Sequence, residues 1–302
     1  MHPRGHHRVT AMKQIIVGSR ESRLAVIQTM TLVDHLRAVC PDAQVTVRTM
    51  KTTGDKILDR TLDKVGGKGL FVKELDAALL EGRIDLAVHS VKDLPMALAP
   101  GTRVLAYSRR ADPRDALVLP EGAAKMKPGG TIGTSSLRRA LQLKGLYPNC
   151  EIKPVRGNLY TRLQKLDEGQ YDALVLAMAG LRRLGLEKRA SRIFEPDEII
   201  PAAGQGILAV IGREGEEFPW LKGYADESAA LCALCERAFV RALDGGCTSP
   251  VCAHAALHRD TLTARALYYD PDTNATRVAT DTAPAHQAEA LGLRLAERLM
   301  QA

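Results

Sequence analysis

Twice in this chain a short apolar strand runs into a glycine–serine turn and then into an amphipathic helix. The first copy is a strand over residues 14–18, the turn Gly18-Ser19-Arg20, and a helix from Leu24 through Val39. The second is Thr131-Ile132-Gly133, the turn Thr134-Ser135-Ser136, and a helix that opens near Leu137. Strand–helix–strand repeats build mostly parallel sheets, so the pattern predicts α/β units. Further strands are predicted over 45–50, 84–88, 104–106, 116–119, 152–155, 171–177 and 207–211, with helices over 71–80 and 159–166. The end of the chain reads differently. A helix over 227–243, strands over 251–257, 262–269 and 276–280, and a helix over 285–300 make a small α+β unit. The 302 residues are long enough for three domains. The expected boundaries are 12–108 with 204–222 for the first, 109–203 for the second and 223–302 for the third.

The stretch Arg83 to Pro95 is where chemistry is expected. Ile84, Leu86, Ala87 and Val88 read as a buried strand, and His89, Ser90, Lys92 and Asp93 follow at its carboxyl end. Open α/β sheets bind ligands at such ends. Neighbouring Lys92 and Asp93 suit a substrate that carries both charges. Arg20 stands at a strand-to-helix junction, with Ser19 or Ser22 as the helix cap, which suits an anion. Between Thr131 and Lys165 there are seven basic residues, Arg138, Arg139, Lys144, Lys153, Arg156, Arg162 and Lys165, against one acid, Glu151. Arginine's planar fork captures carboxylate or phosphate through two parallel bonds, so this imbalance predicts a polyanion site. The loop 58–69, with Lys64 and Lys68 among glycines, reads as a linker or a mobile lid. Gly204-Gln205-Gly206 reads as a hinge.

The net charge of +7 calls for an anionic partner. Aromatics make up only 4% of the chain, and the arginines sit at strand ends, so no nucleic-acid partner is expected. No apolar run reaches the length of a membrane span. The basic leader, with His2, His6 and His7, lacks the apolar core of a signal peptide, and no metal is assigned to it. Six dispersed cysteines then read as thiols in a reducing cytoplasm. Cys232 and Cys235 lie within one helix as buried thiols. Cys247, after two glycines and ahead of Pro250, is a candidate nucleophile or covalent attachment point. A two-lobed anion-binding protein without catalysis is the competing reading.

The ordered motifs resemble one family, the porphobilinogen deaminases (hydroxymethylbilane synthases). They are Gly18-Ser19-Arg20, Val65-Gly66-Gly67-Lys68-Gly69-Leu70-Phe71, His89-Ser90-Val91-Lys92-Asp93-Leu94-Pro95, Gly133-Thr134-Ser135-Ser136-Leu137-Arg138-Arg139, Arg156-Gly157-Asn158, Gly204-Gln205-Gly206 and Gly245-Gly246-Cys247. The resemblance implies two domains like those of periplasmic binding proteins, plus the small third domain. It implies a monomeric cytoplasmic transferase that joins four porphobilinogens head to tail, releasing ammonia, to give hydroxymethylbilane for haem biosynthesis. It also implies a dipyrromethane cofactor, joined by thioether to Cys247. On this resemblance Asp93 and Lys92 are catalytic, and Ser90, Lys92, Asp93, Thr134, Ser136, Arg138, Arg139, Arg156, Gly157 and Arg162 hold the cofactor. Arg20, Ser22, Arg156, Arg162, Arg183 and Gln205 would bind substrate, and Lys64 and Lys68 would close over the cleft. Cys252 places a second thiol near the attachment point, and Arg23 stands where the family often has proline.

Overall fold

The computed structural model describes residues 14–53, 72–243 and 250–301, which form three sheets. Lys64, Lys68, Cys247 and the leader histidines lie outside the described residues. The chain begins with β1 (Gln14–Arg20), α1 (Arg23–Val39), β2 (Gln44–Met50), α2 (Lys73–Leu80), β3 (Leu86–Ser90) and β4 (Thr102–Tyr107). Then come β5 (Asp115–Val118), β6 (Thr131–Gly133), α3 (Leu137–Leu146), β7 (Glu151–Lys153), α4 (Leu159–Asp167), β8 (Ala173–Ala177), α5 (Met178–Arg183) and β9 (Ala190–Ile193). Last are β10 (Leu208–Arg213), α6 (Glu227–Ala242), β11 (Cys252–His258), β12 (Thr261–Tyr269), β13 (Thr276–Pro284) and α7 (Ala288–Gln301).

The first sheet has the order β2-β1-β3-β10-β4 and the second β7-β6-β8-β5-β9. In the first, β1 is parallel to β2 and β3, and β10 lies antiparallel between β3 and β4. In the second, β6 is parallel to β7 and β8, and β5 lies antiparallel between β8 and β9. One topology is thus used twice, with an exchange of strands. β5 enters the second sheet before the rest of it is made, and β10 returns to the first after the second is finished. The chain crosses between the sheets at 108–114 and again at 194–207.

Helix spacing explains how the layers pack. α1 buries Ala25, Gln28, Thr29, Leu32, Val33 and Leu36 on one stripe, and its leucines meet Ile15, Val17, Leu86 and Val88. Each such leucine contributes about 1.5–3 kcal/mol on burial. The third sheet is the antiparallel meander β11-β12-β13. α6 and α7 cover it with Cys232, Cys235, Phe239, Leu291, Leu295 and Leu299.

The two crossings are bound to each other. Ala111 N–H donates to Gly206 O (3.1 Å), Arg110 Nε to Gln205 O (3.0 Å), and Arg114 to Glu195 Oε1 (2.6 Å). Gly204 and Gly206 take φ of +74° and +92°, the left-handed region that glycine enters at little cost. A Cβ on Gly206 would stand 2.5 Å from Ala111 O, so glycine also permits the close approach.

Two features differ from the sequence-based expectation. The strand expected to end at Val88 runs on through His89 and Ser90, and His89 pairs with Ala209 of β10. His89 is therefore buried inside the sheet rather than released at its edge. Strand β9 was not predicted, because Ala190-Ser191-Arg192-Ile193 is too short and polar to stand out. It forms as the edge partner of β5.

Candidate functional site

Except at β2, every parallel strand of the two large sheets leads into candidate residues. β1 ends on Arg20. β3 ends on Ser90, and the 3-10 turn Val91–Asp93 then presents Lys92 and Asp93. β6 leads to Thr134 and Ser136, β7 to Arg156 and Gly157, and β8 to α5, which carries Arg183. Two of the hydroxyls shape the local backbone. Ser22 caps α1 by accepting from Ala25 N–H, and Ser136 caps α3 by accepting from Arg139 N–H. Gln28 Nε2 donates to Ser90 Oγ at 3.2 Å. Arg162 Nε donates to Gly157 O at 2.8 Å, which turns its guanidinium back toward the end of β7.

The electrostatics bring the two halves together. Lys92 is pulled down from 10.5 to about 8, first by burial; Arg139 and Arg138 push the same way, while Asp93 and Asp115 oppose them. Arg162 is pulled down from 12.5 to about 10, again first by burial, then by Arg139 and Arg156, with Asp93 opposing. A carboxylate and an ammonium from the first sheet therefore share one field with arginines from the second. Asp93 is only partly buried, so the group is open to a ligand.

The arginines are not equivalent. Arg138 and Arg139 are buried and donate to Asp115 at 2.7 Å each. Arg138 also donates to Ile200 O and Arg139 to Val175 O. Asp115, at the start of β5, is fully buried; burial pushes its carboxyl up, but the two arginines outweigh this and hold it below the usual carboxylate range. Sequence reasoning missed this residue. Arg183 donates to Gly206 O at 2.8 Å. Gln205, expected to bind substrate, faces the protein interior. It is 1% exposed, and its amide is taken by Pro113 O, Asp115 and Lys92. By contrast, Nε of Arg139 and Nε of Arg156 are buried without a partner among the described residues. Desolvated guanidinium N–H groups of this kind call for an anionic ligand.

The third unit touches this site through α6. Arg237 donates to Pro95 O (2.7 Å) and Met96 O (3.2 Å), pinning the loop just after Asp93. Glu236 is fully buried and accepts from Arg110 (2.6 Å), Gly204 N–H (2.6 Å) and Ala255 N–H (2.7 Å).

Comparison with known proteins decides the family. Residues 15–218 match the family model described as porphobilinogen deaminase, dipyromethane cofactor binding domain, and residues 230–301 match the porphobilinogen deaminase C-terminal domain. The chain is 47% identical to the porphobilinogen deaminase of Acetivibrio thermocellus, over 95% of this chain and 98% of that one. The chain belongs to the porphobilinogen deaminase family. It is also 52% identical to the porphobilinogen deaminase of Ruminiclostridium cellulolyticum, over 87% of this chain and 89% of the relative. With that of Neisseria meningitidis it shares 46% identity over 95% and 94%. Among solved structures, the periplasmic aliphatic sulphonate binding protein of Escherichia coli aligns with a TM-score of 0.39 and 12% identity, covering 77% of this chain and 71% of that one. As a member of this family the chain is a transferase with a dipyrromethane cofactor. The donor set fits that group, because a polycarboxylate satisfies the two buried Nε groups and the desolvated Arg162.

Among the described residues, the three buried thiols are poor attachment points. Cys252 is fully buried against Gln142 Nε2 (3.8 Å), and burial pushes its thiol up to about 12. Cys232 and Cys235 are likewise buried on α6, with thiols pushed up to about 11 and about 12. A thiol kept protonated is a weak nucleophile. Cys252 does mark a place. It lies beside Arg138 and Asp115, whose charges both reach its sulfur.

A buried histidine and a half-buried one make stability pH-dependent. Burial, helped by Arg20, pulls His89 down to about 4. Burial also pulls His254 down to about 4, with Arg110 helping and Glu236 opposing. An unfolded chain protonates both near 6.5, whereas the folded chain does so only near 4, so stability falls as pH drops between these values. Asp76, raised to about 6 by burial, offsets part of this. The thermal midpoint is expected to fall from pH 7 to pH 4.5 in scanning calorimetry, and a midpoint that stays level would refute the assignment of two neutral histidines.

Proposed function

We propose that this chain joins four porphobilinogens head to tail into hydroxymethylbilane, with Asp93 as the catalytic carboxylate and Cys247 as the covalent anchor of the dipyrromethane. When bound, that cofactor supplies the nucleophilic pyrrole carbon to which the first unit is added. The chain's own residues do the rest. Arg156, Arg162 and the buried Nε of Arg139 would hold the acetate and propionate arms, which multiply as the chain grows. Asp93 would hydrogen-bond the pyrrole N–H and balance positive charge at the substrate's methylene carbon as ammonia leaves. Lys92 supplies a neighbouring ammonium that can exchange its proton near neutral pH. Arg20 and Arg183 would meet the incoming substrate's carboxylates.

The observation that carries this reading is the shared field of Asp93, Lys92, Arg162 and Arg139, contributed by two separate sheets. Cys252, five residues on from Cys247, supports the anchor because it lies beside Asp115 and Arg138. The same reading keeps the boundaries 12–108 with 204–222, 109–203 and 223–302, and takes the protein as a cytoplasmic monomer. Intact mass spectrometry tests the anchor. Wild type and Cys252→Ala are expected to carry the dipyrromethane increment, and Cys247→Ser to lack it. An increment retained in Cys247→Ser would move the anchor elsewhere.

A further inference from the structure

We propose that Asp115 and Gln205 act together as positioning residues for Lys92, a buried line of hydrogen bonds that carries the placement of the Arg138–Arg139 pair to the ammonium beside Asp93. The proposal rests on the reading that Lys92 belongs to the catalytic machinery.

The line can be followed atom by atom. Arg138 and Arg139 fix the two oxygens of Asp115, at 2.7 Å each. Gln205 Nε2 donates to Asp115 Oδ1 (2.9 Å) and to Pro113 O (2.6 Å). Two acceptors on one side leave the amide a single orientation, and its oxygen then faces Lys92 Nζ at 3.4 Å. The backbone of Gln205 is held as firmly. Its carbonyl accepts from Arg110, and the carbonyl of Gly206 accepts from Arg183 and Ala111 N–H. Gly204 N–H donates to Glu236. The side chain cannot turn over without breaking its bonds to Pro113 O and Asp115.

The groups acting on Lys92 are Asp93 on its own turn, Asp115 on β5, and Arg138 and Arg139 on α3. Gln205 joins them through its amide oxygen. Asp93 and Asp115 act on Lys92 in one direction and Arg139 and Arg138 in the other, and the amide oxygen of Gln205 sides with the acids. Removing Oε1 takes away a bond that favours the charged ammonium, and Lys92 must lose its proton more readily.

The test is pH-dependent acetylation of the full-length, cofactor-loaded enzyme by acetic anhydride, with the Lys92 peptide quantified by mass spectrometry. In wild type the midpoint for Lys92 is expected near 8. In Gln205→Met it should fall by about one pH unit, the effect of losing a hydrogen bond to a charged group. The alkaline limb of kcat should move down with it, while KM changes less than about threefold. Asp115→Asn should move the midpoint the same way; Gln205→Met, which keeps the buried ion pairs, carries the test if Asp115→Asn does not fold. An unchanged midpoint in Gln205→Met overturns the proposal. Near-normal turnover in Lys92→Gln would instead overturn the catalytic reading of Lys92, which the labelling midpoint does not depend on.

Discussion

Asp93→Asn is expected to lower turnover about a hundred- to ten-thousand-fold, the range typical of a group that handles protons or developing charge. Asparagine keeps the shape and can still hydrogen-bond, so only the charge is lost. Asp93 lies on the turn Val91–Asp93, and its carboxylate acts on both Lys92 and Arg162. Without it, Arg162, Arg139 and Lys92 would face a developing cation with no negative charge from the first sheet. The counterweight would then be Asp115, already committed to Arg138 and Arg139, and the carboxylates of bound pyrroles held by the same arginines. The fold should survive, because Asp93 is only partly buried and the turn is closed by Leu94 N–H on Val91 O. The check is initial rate of ammonia release, alongside the thermal midpoint and the intact mass. A loss below tenfold in a folded, cofactor-loaded variant would remove Asp93 from the mechanism.

What the sequence disclosed follows the physics of short range. Strand and helix periodicity, a serine cap at 19 or 22, and glycines at 204 and 206 act within a few residues, so they are written locally. The candidate site was legible for the same reason. Its residues follow strand ends, and strand ends can be read. Asp115 and Glu236 were not legible, because nothing near them in the chain explains them. Asp115 meets Gln205 across 90 residues, and Glu236 meets Arg110 across 126. A signal was present all the same. Glu236 lies on the stripe Ala229, Cys232, Ala233, Val240 of a helix that is otherwise apolar there. An acid on such a stripe must find buried donors or stay neutral. Asp115 opens a fully buried strand, Ala116-Leu117-Val118, and poses the same demand. His89 shows the reverse error. A polar residue after an apolar run was read as the strand's end, but β10 pairs with it and the sheet continues.

Glu236→Gln is the change expected to cost the most stability, about 3–5 kcal/mol, as for removal of one partner from a buried ion pair. Its carboxylate binds three pieces of the molecule at once: Arg110 on the first crossing, Gly204 N–H on the second and Ala255 N–H on β11. An amide has one oxygen for these donors and brings an NH2 group of its own, so at least one buried N–H loses its acceptor. Arg110 would keep a charge with no acid beside it. That charge should account for much of the loss, and the prediction can be divided on this point. Adding Arg110→Met to Glu236→Gln should recover part of the stability, since the stranded guanidinium is gone while the backbone donors still have one oxygen. Urea unfolding followed by circular dichroism gives the order: wild type first, the double variant second, Glu236→Gln last. The expected fall in thermal midpoint is roughly 10 °C, at about 2–4 °C per kcal/mol. If the double variant were less stable than Glu236→Gln alone, Arg110 would be holding the crossings through Gln205 O and Ala255 O more than through its charge. The third domain would then be joined to the cleft by backbone geometry, with the ion pair secondary.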